Sequence, residues 1–88
     1  MPAISVSAVT STQIAPADYD RSLIVITNTD SAAKCYINFG GTASSGDAYI
    51  SPGGNMTIAG DGLWKGAING LSSSGTITVN YSKASPGR

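Results

Sequence analysis

The sequence contains no histidine, no glutamate and a single cysteine, Cys35. One cysteine excludes an internal disulfide, and without histidine or a second thiol no ordinary zinc site can form. The missing histidine also removes the usual base beside a serine or cysteine nucleophile. Lys65 and Lys83 stand in no Ser-x-x-Lys pattern that would replace it, and the one such spacing, Ser31-Ala32-Ala33-Lys34, falls in a stretch of turn formers. Charge is scarce: 11% of residues carry it, against about a quarter in a typical domain. Five aspartates balance five bases, and no stretch clusters Lys or Arg to steer a nucleic acid. Long apolar runs are missing as well. The longest, Leu23-Ile24-Val25-Ile26, is far too short to span a membrane. Residues 1–9 show neither the basic start nor the apolar stretch of a signal peptide. The expectation is a protein without cofactor or metal whose partner is neither nucleic acid nor membrane.

What is present is β-forming. Three of the four residues in the 23–26 run are Ile or Val, which lose side-chain freedom in a helix but pack well on a pleated surface. Bounded by Asp20-Arg21 and by Asn28-Thr29-Asp30, the run reads as a strand covered on both faces. Residues 34–39 alternate, placing Cys35, Ile37 and Phe39 on one face and Tyr36 and Asn38 on the other. Residues 40–46 read as a surface loop, and 47–51 as a short strand stopped by Pro52-Gly53-Gly54. Residues 55–59 alternate with Met56 and Ile58 inward, and Gly60-Asp61-Gly62 reads as the next turn. Residues 63–68 read as a strand ending at Asn69-Gly70, a dipeptide suited to a type I′ turn or to the start of a longer loop. Residues 75–82 are the clearest strand, with Ile77, Val79 and Tyr81 on the dry face.

Strands separated by turns every eight to twelve residues predict an all-β fold: a small antiparallel β-sandwich or barrel of jelly-roll or Greek-key type. Residues 1–20 read as an extended N-terminal arm, 21–82 as the domain and 83–88 as a loose tail. The alternating stretch 4–9 either pairs with the edge of its own sheet or adds to a neighbour's. At 88 residues the core is marginal, and with no disulfide or metal to help, self-association is the expected support.

The chemistry-bearing candidates are few. Cys35 falls on an apolar strand face and reads as a small buried hydrophobe. Asp18 and Asp20 have the spacing of a calcium or glycosidic pair, yet beside Pro16 they suit local turn bonds better. Gly40-Gly41 and Gly53-Gly54 open no helix carrying a lysine, so no phosphate cradle is implied. Asn55-Met56-Thr57 and Asn80-Tyr81-Ser82 match the glycosylation pattern, by chance where nothing points to secretion. An enzyme is not expected. Tyr19, Tyr36, Tyr49 and Trp64 remain as a sugar platform or as interface anchors, and Trp64 suits a core position equally well. The candidate contact residues are therefore Ile4, Val6 and Val9 on the arm, with Tyr19, Tyr49 and Trp64.

A family pattern runs through residues 21–82. Arg21-x-Leu23-x-Val25-x-Thr27-Asn28 is followed by Tyr36-Ile37-Asn38-Phe39-Gly40-Gly41-Thr42-Ala43 and then by Pro52-Gly53-Gly54. Gly62-x-Trp64-x-Gly66-Ala67-Ile68 and Gly75-Thr76-Ile77-Thr78-Val79 complete it. In this order the motifs resemble small structural proteins of tailed phages and prophages. They are turn and core residues and carry no catalytic residue over, and residues 1–20 have no counterpart. The resemblance implies a virion component, most like a capsid decoration (cement) protein, made in the host cytoplasm and placed on the capsid surface. It implies the major capsid protein as partner and a homo-oligomer, a trimer by preference because shells of that kind offer three-fold junctions. The competing expectation is a head- or tail-fibre-associated module that binds host-surface glycan through its aromatics.

Overall fold

The computed structural model describes residues 3–19, 21–59 and 63–84. Among them the chain forms strands β1 (Ala3–Val6), β2 (Thr12–Ala15), β3 (Leu23–Asn28) and β4 (Cys35–Phe39), then β5 (Tyr49–Ile50), β6 (Asn55–Ala59), β7 (Ile68–Ser72) and β8 (Ile77–Ala84). No helix occurs among the described residues. Two antiparallel four-stranded sheets pack together, ordered β1-β8-β3-β6 and β2-β7-β4-β5.

That order is the one obtained by rolling up a long hairpin. β1 pairs with β8, β2 with β7, β3 with β6 and β4 with β5, so the first half of the chain runs back along the second. The wrap is closed by β3 on β8 and β4 on β7. This is the strand order of an eight-stranded jelly roll, and the sandwich expected from the turn spacing is what the chain forms.

Alternation decides which side chains fill the space between the sheets. Val6, Ile24, Ile26, Ile77 and Val79 point in from one sheet and Ile14, Cys35, Ile37, Ile50 and Ile68 from the other. The core is dominated by β-branched residues, which lose little freedom on a strand. Ile14 and Ala15 are adjacent and both buried because the β2–β7 register slips between Gln13 and Ala15, a bulge that turns consecutive side chains inward. Between β5 and β6 the turn has the chemistry of its residues. Pro52 precedes Gly53 at φ +73°, and the Gly54 N–H donates to Ser51 O at 2.9 Å.

Several sequence expectations need correction. The described part of the expected 1–20 arm, residues 3–19, is not an arm: β1 and β2 lie one in each sheet, and Val6, Ile14 and Ala15 are core residues. The physical reason is that β8 and β7 each have a side left open, and burying β1 and β2 there completes a core too small without them. The central strand is covered on one face, with Ile24 and Ile26 buried but Leu23 and Val25 only half-buried. Phe39 shares the parity of Cys35 and Ile37 yet is exposed, because it sits where β4 ends.

Residues 63–67 form no strand; β7 starts at Ile68 and runs straight through Asn69-Gly70. Gly70 is there for space, since a Cβ would lie 2.5 Å from Ile14 Cδ1 and 3.3 Å from Cys35 Sγ. Residues 83 and 84 are not part of a loose tail, because β8 continues through Lys83 and Ala84 opposite Ile24 and Leu23. The Gly60-Asp61-Gly62 turn and residues 85–88 lie outside the described residues.

Candidate binding surfaces

The six candidate contact residues do not form one site. Ile4 and Val6 face inward opposite Val79 and Ile77, Ile4 half-buried and Val6 wholly buried, so neither is free to meet another chain. Val9 lies beyond the end of β1 and is 91% exposed, its N–H bonded to Ser7 Oγ at 2.9 Å. Tyr19 is 74% exposed. The segment before it is tied to the 64–66 loop, since the Asp18 N–H donates to Lys65 O at 2.8 Å. Asp18 also pairs with Lys83, while Asp20 lies outside the described residues. No group of three or more metal-ligating side chains and no pocket occurs among the described residues.

Tyr49 and Trp64 each sit in an aromatic cluster, in different places. Tyr49 lies on the outer face of β5, 48% exposed, its ring edge-on to Tyr36 at 6.0 Å. Lys34 Nζ stands 4.5 Å from the Tyr49 ring centre, a cation–π contact. The cross-strand partner of Tyr36 on its other side is Leu71, so a half-apolar row crosses three strands of that sheet. The next row pairs Asn38 with Asn69 and Asn69 with Gln13, and Asn38 also donates to the Asp47 carboxylate.

Trp64 sits at the end of the sandwich instead, 39% exposed and edge-on to Phe39 at 6.3 Å. Its ring lies against two glycines. A Cβ on Gly66 would come within 2.6 Å of Trp64 Cζ2, and one on Gly40 within 3.0 Å. Nε1 donates to Ala67 O at 2.8 Å, which spends the polar end of the indole within its own loop. The ring is thus held rigidly with part of its surface in solvent.

Two residues that hold these surfaces were not singled out by sequence reasoning. Arg21 is buried, and its guanidinium donates to three backbone carbonyls: Pro16 O at 3.2 Å, Trp64 O at 2.9 Å and Gly66 O at 2.9 Å. Asn28 is buried at the end of β3 and donates to Ala33 O at 2.8 Å and Ile50 O at 3.2 Å, pinning both neighbouring loops. The loop after it is closed by Asp30, whose carboxylate accepts the Ala33 and Ala32 N–H groups, and those bonds lower its pKa.

The third surface is the outer face of the β1-β8-β3-β6 sheet. Leu23, Val25 and Thr27 lie in its middle, flanked by Asn80 and Ser82 on β8 and by Thr57 on β6. No described residue on this face is charged, because Lys83, the one charged residue on these strands, lies at an inward position opposite Ile24.

Cys35 belongs to none of these surfaces. It is buried in the core, and burial pushes its thiol from 9.0 up to about 11. Between those values the unfolded chain releases the proton while the folded one keeps it, so stability is full below pH 9 and falls toward pH 11. Relative to Cys35→Ala, the wild type is expected to lose on the order of 2 kcal/mol across that window, as read by urea unfolding. An equal slope in both proteins would show that the thiol is not desolvated.

No protein-family model, curated protein or solved structure matches the chain.

Proposed function

We propose that the protein is a virion component of a tailed phage that decorates the capsid surface, where it stabilises the shell by bridging copies of the major capsid protein. The motif resemblance across residues 21–82 supports this reading, and the observation that carries it is the uncharged outer face of β1-β8-β3-β6. Interface centres are depleted in charge, since each ionised group must be stripped of water before contact. A face built of Leu23, Val25, threonines and amides meets a flat protein surface at low desolvation cost. A domain that binds only the assembled shell shifts the shell's stability by mass action, and many weak contacts on one particle hold together.

Cosedimentation with washed heads of the phage encoding the chain tests the reading. The wild type is expected to remain with the heads. Thr78→Asp, which puts a carboxylate on this face at an exposed position, is expected to be lost from them at an unchanged melting temperature. A wild type absent from washed heads ends the proposal.

The second reading is a head- or tail-fibre-associated module that binds host-surface glycan. The rigid, partly exposed indole of Trp64 beside Phe39 favours it, because an immobilised aromatic face costs little entropy to stack against a sugar ring. A glycan array on which binding saturates and disappears with Trp64→Ala would put this reading first.

A further inference from the structure

We infer that β6 is a self-pairing edge: two copies of the chain join β6 to β6 antiparallel, about a two-fold axis at Thr57. The two β1-β8-β3-β6 sheets then become one continuous sheet. The inference does not depend on the capsid reading.

The four sheet edges are not equivalent. β5 is two residues long, β2 is bulged and runs into Pro16, and β1 has four residues. β6 has five, in unbroken register with β3, without proline, bulge or charge. Natural edges usually carry at least one of those guards against pairing with another chain. β6 carries none.

Register parity makes the edge self-complementary. The Asn28 N–H donates to Gly54 O at 3.0 Å, which marks Asn28 and Gly54 as a hydrogen-bonded pair of the antiparallel ladder. Bonded and non-bonded pairs alternate, so Ile26–Met56 and Ile24–Ile58 are bonded pairs as well. The N–H and C=O groups of Asn55, Thr57 and Ala59 therefore point away from β3, to the open side. An axis through Thr57 sets Thr57 against Thr57 and Asn55 against Ala59, so every outward-pointing group meets another. A one-residue slip would set them against Met56 and Ile58, whose backbone groups already serve β3.

The side chains agree with that register. Met56 and Ile58 face the core side yet stay only half-buried, and the axis places Met56 of one copy opposite Ile58 of the other. Thr57 meets its own counterpart on the outer face, a favourable cross-strand pair. No charge on β6 opposes the approach of a second copy. The area is modest: a five-residue edge covers less than the roughly 800 Å² per partner of a standard interface. Association is accordingly weak, with a dissociation constant on the order of tens of micromolar. An isologous edge is used up by one partner, so the product is a dimer in place of the trimer expected from shell junctions.

Sedimentation velocity over roughly 5 μM to 1 mM, spanning that constant, tests the inference. The wild type is expected to pass from monomer to dimer as concentration rises. Thr57→Pro removes an N–H that β3 does not use, a position where an edge strand tolerates proline. It should raise the dissociation constant at least tenfold while the melting temperature of the dilute protein holds. Thr57→Lys, which keeps the backbone unconstrained, sets like charges face to face across the axis and should have the same effect. A wild type that stays monomeric throughout, one that forms trimers, or a dimer that both variants leave intact overturns the inference. Staying monomeric is also the result expected if the edge takes a strand from a different protein.

Discussion

Val79→Asp is expected to abolish folding, whereas Thr78→Asp, one residue earlier on the same strand, is expected to fold and melt like the wild type. Val79 is wholly buried, paired with Ile4 on one side and Asn28 on the other. Thr78 is exposed, and its structural contribution comes from its backbone carbonyl, which accepts from both the N–H and the hydroxyl of Thr29. The aspartate at 79 has no partner in the core. Whether it stays ionised or takes up a proton, it loses the valine's transfer energy and adds the desolvation of a carboxyl group, together about 4 kcal/mol or more. A chain of 88 residues has a total stability of roughly 4–13 kcal/mol, so that loss consumes most or all of it. Far-ultraviolet circular dichroism on heating separates the two variants. If both melt as the wild type does, β8 does not present alternate faces to core and solvent.

That pair of variants also marks how far the sequence could be read. In β8 and β6 a strict period of two places Ile77, Val79, Met56 and Ile58 inward, and nothing in the fold disturbs it. A period tells which side of a strand faces in; it does not tell which strand lies alongside. The pairing of β1 with β8 joins residues at opposite ends of the chain, and only the closing of the roll brings them together. Asn69-Gly70 carries the chemistry of a tight turn, but at that position packing outweighs it. Ile14 and Cys35 leave no room for a Cβ, so a glycine in mid-strand is what the core requires. Phe39 continues the alternation of Cys35 and Ile37, and it is exposed because β4 ends there, a boundary that periodicity does not carry.

The candidate surfaces were less legible than the fold, for a related reason. Trp64, Phe39, Gly40 and Gly66 come from two distant stretches, and only the adjacency of β4 and β7 makes them one cluster. The small residues flanking Trp64 were the available signal, since a ring laid flat on backbone needs glycine beneath it. The uncharged face of β1-β8-β3-β6 was half visible as a low total charge, but its assignment to one face required the strand order. Arg21 gave no local sign. A single base heading an apolar strand looks like the point where the strand meets solvent.

Arg21 is instead where the second large effect is expected. Arg21→Met should cost on the order of 3 kcal/mol and release the 64–66 loop, and Arg21→Lys should recover only part of the loss. Methionine keeps an apolar stem of similar length but has no donors, so the carbonyls of Pro16, Trp64 and Gly66 all lose their partner. A carbonyl left without a partner in a buried place costs about 1–3 kcal/mol, and loop movement toward water relieves part of that. Lysine offers its donors from one point, whereas the planar guanidinium reaches carbonyls on two segments at once. The arginine Nε is buried without a partner among the described residues, so the tie already carries a desolvation cost that its three bonds must offset.

The readout is unambiguous because Trp64 is the only tryptophan. Loss of the tie frees the backbone on both sides of the indole, which should shift its emission to the red and open it to acrylamide quenching. If Arg21→Met instead melts as the wild type does, with unchanged Trp64 emission, Gly40, Gly66 and Ala67 hold the ring unaided. The buried guanidinium would then have no part in shaping that surface.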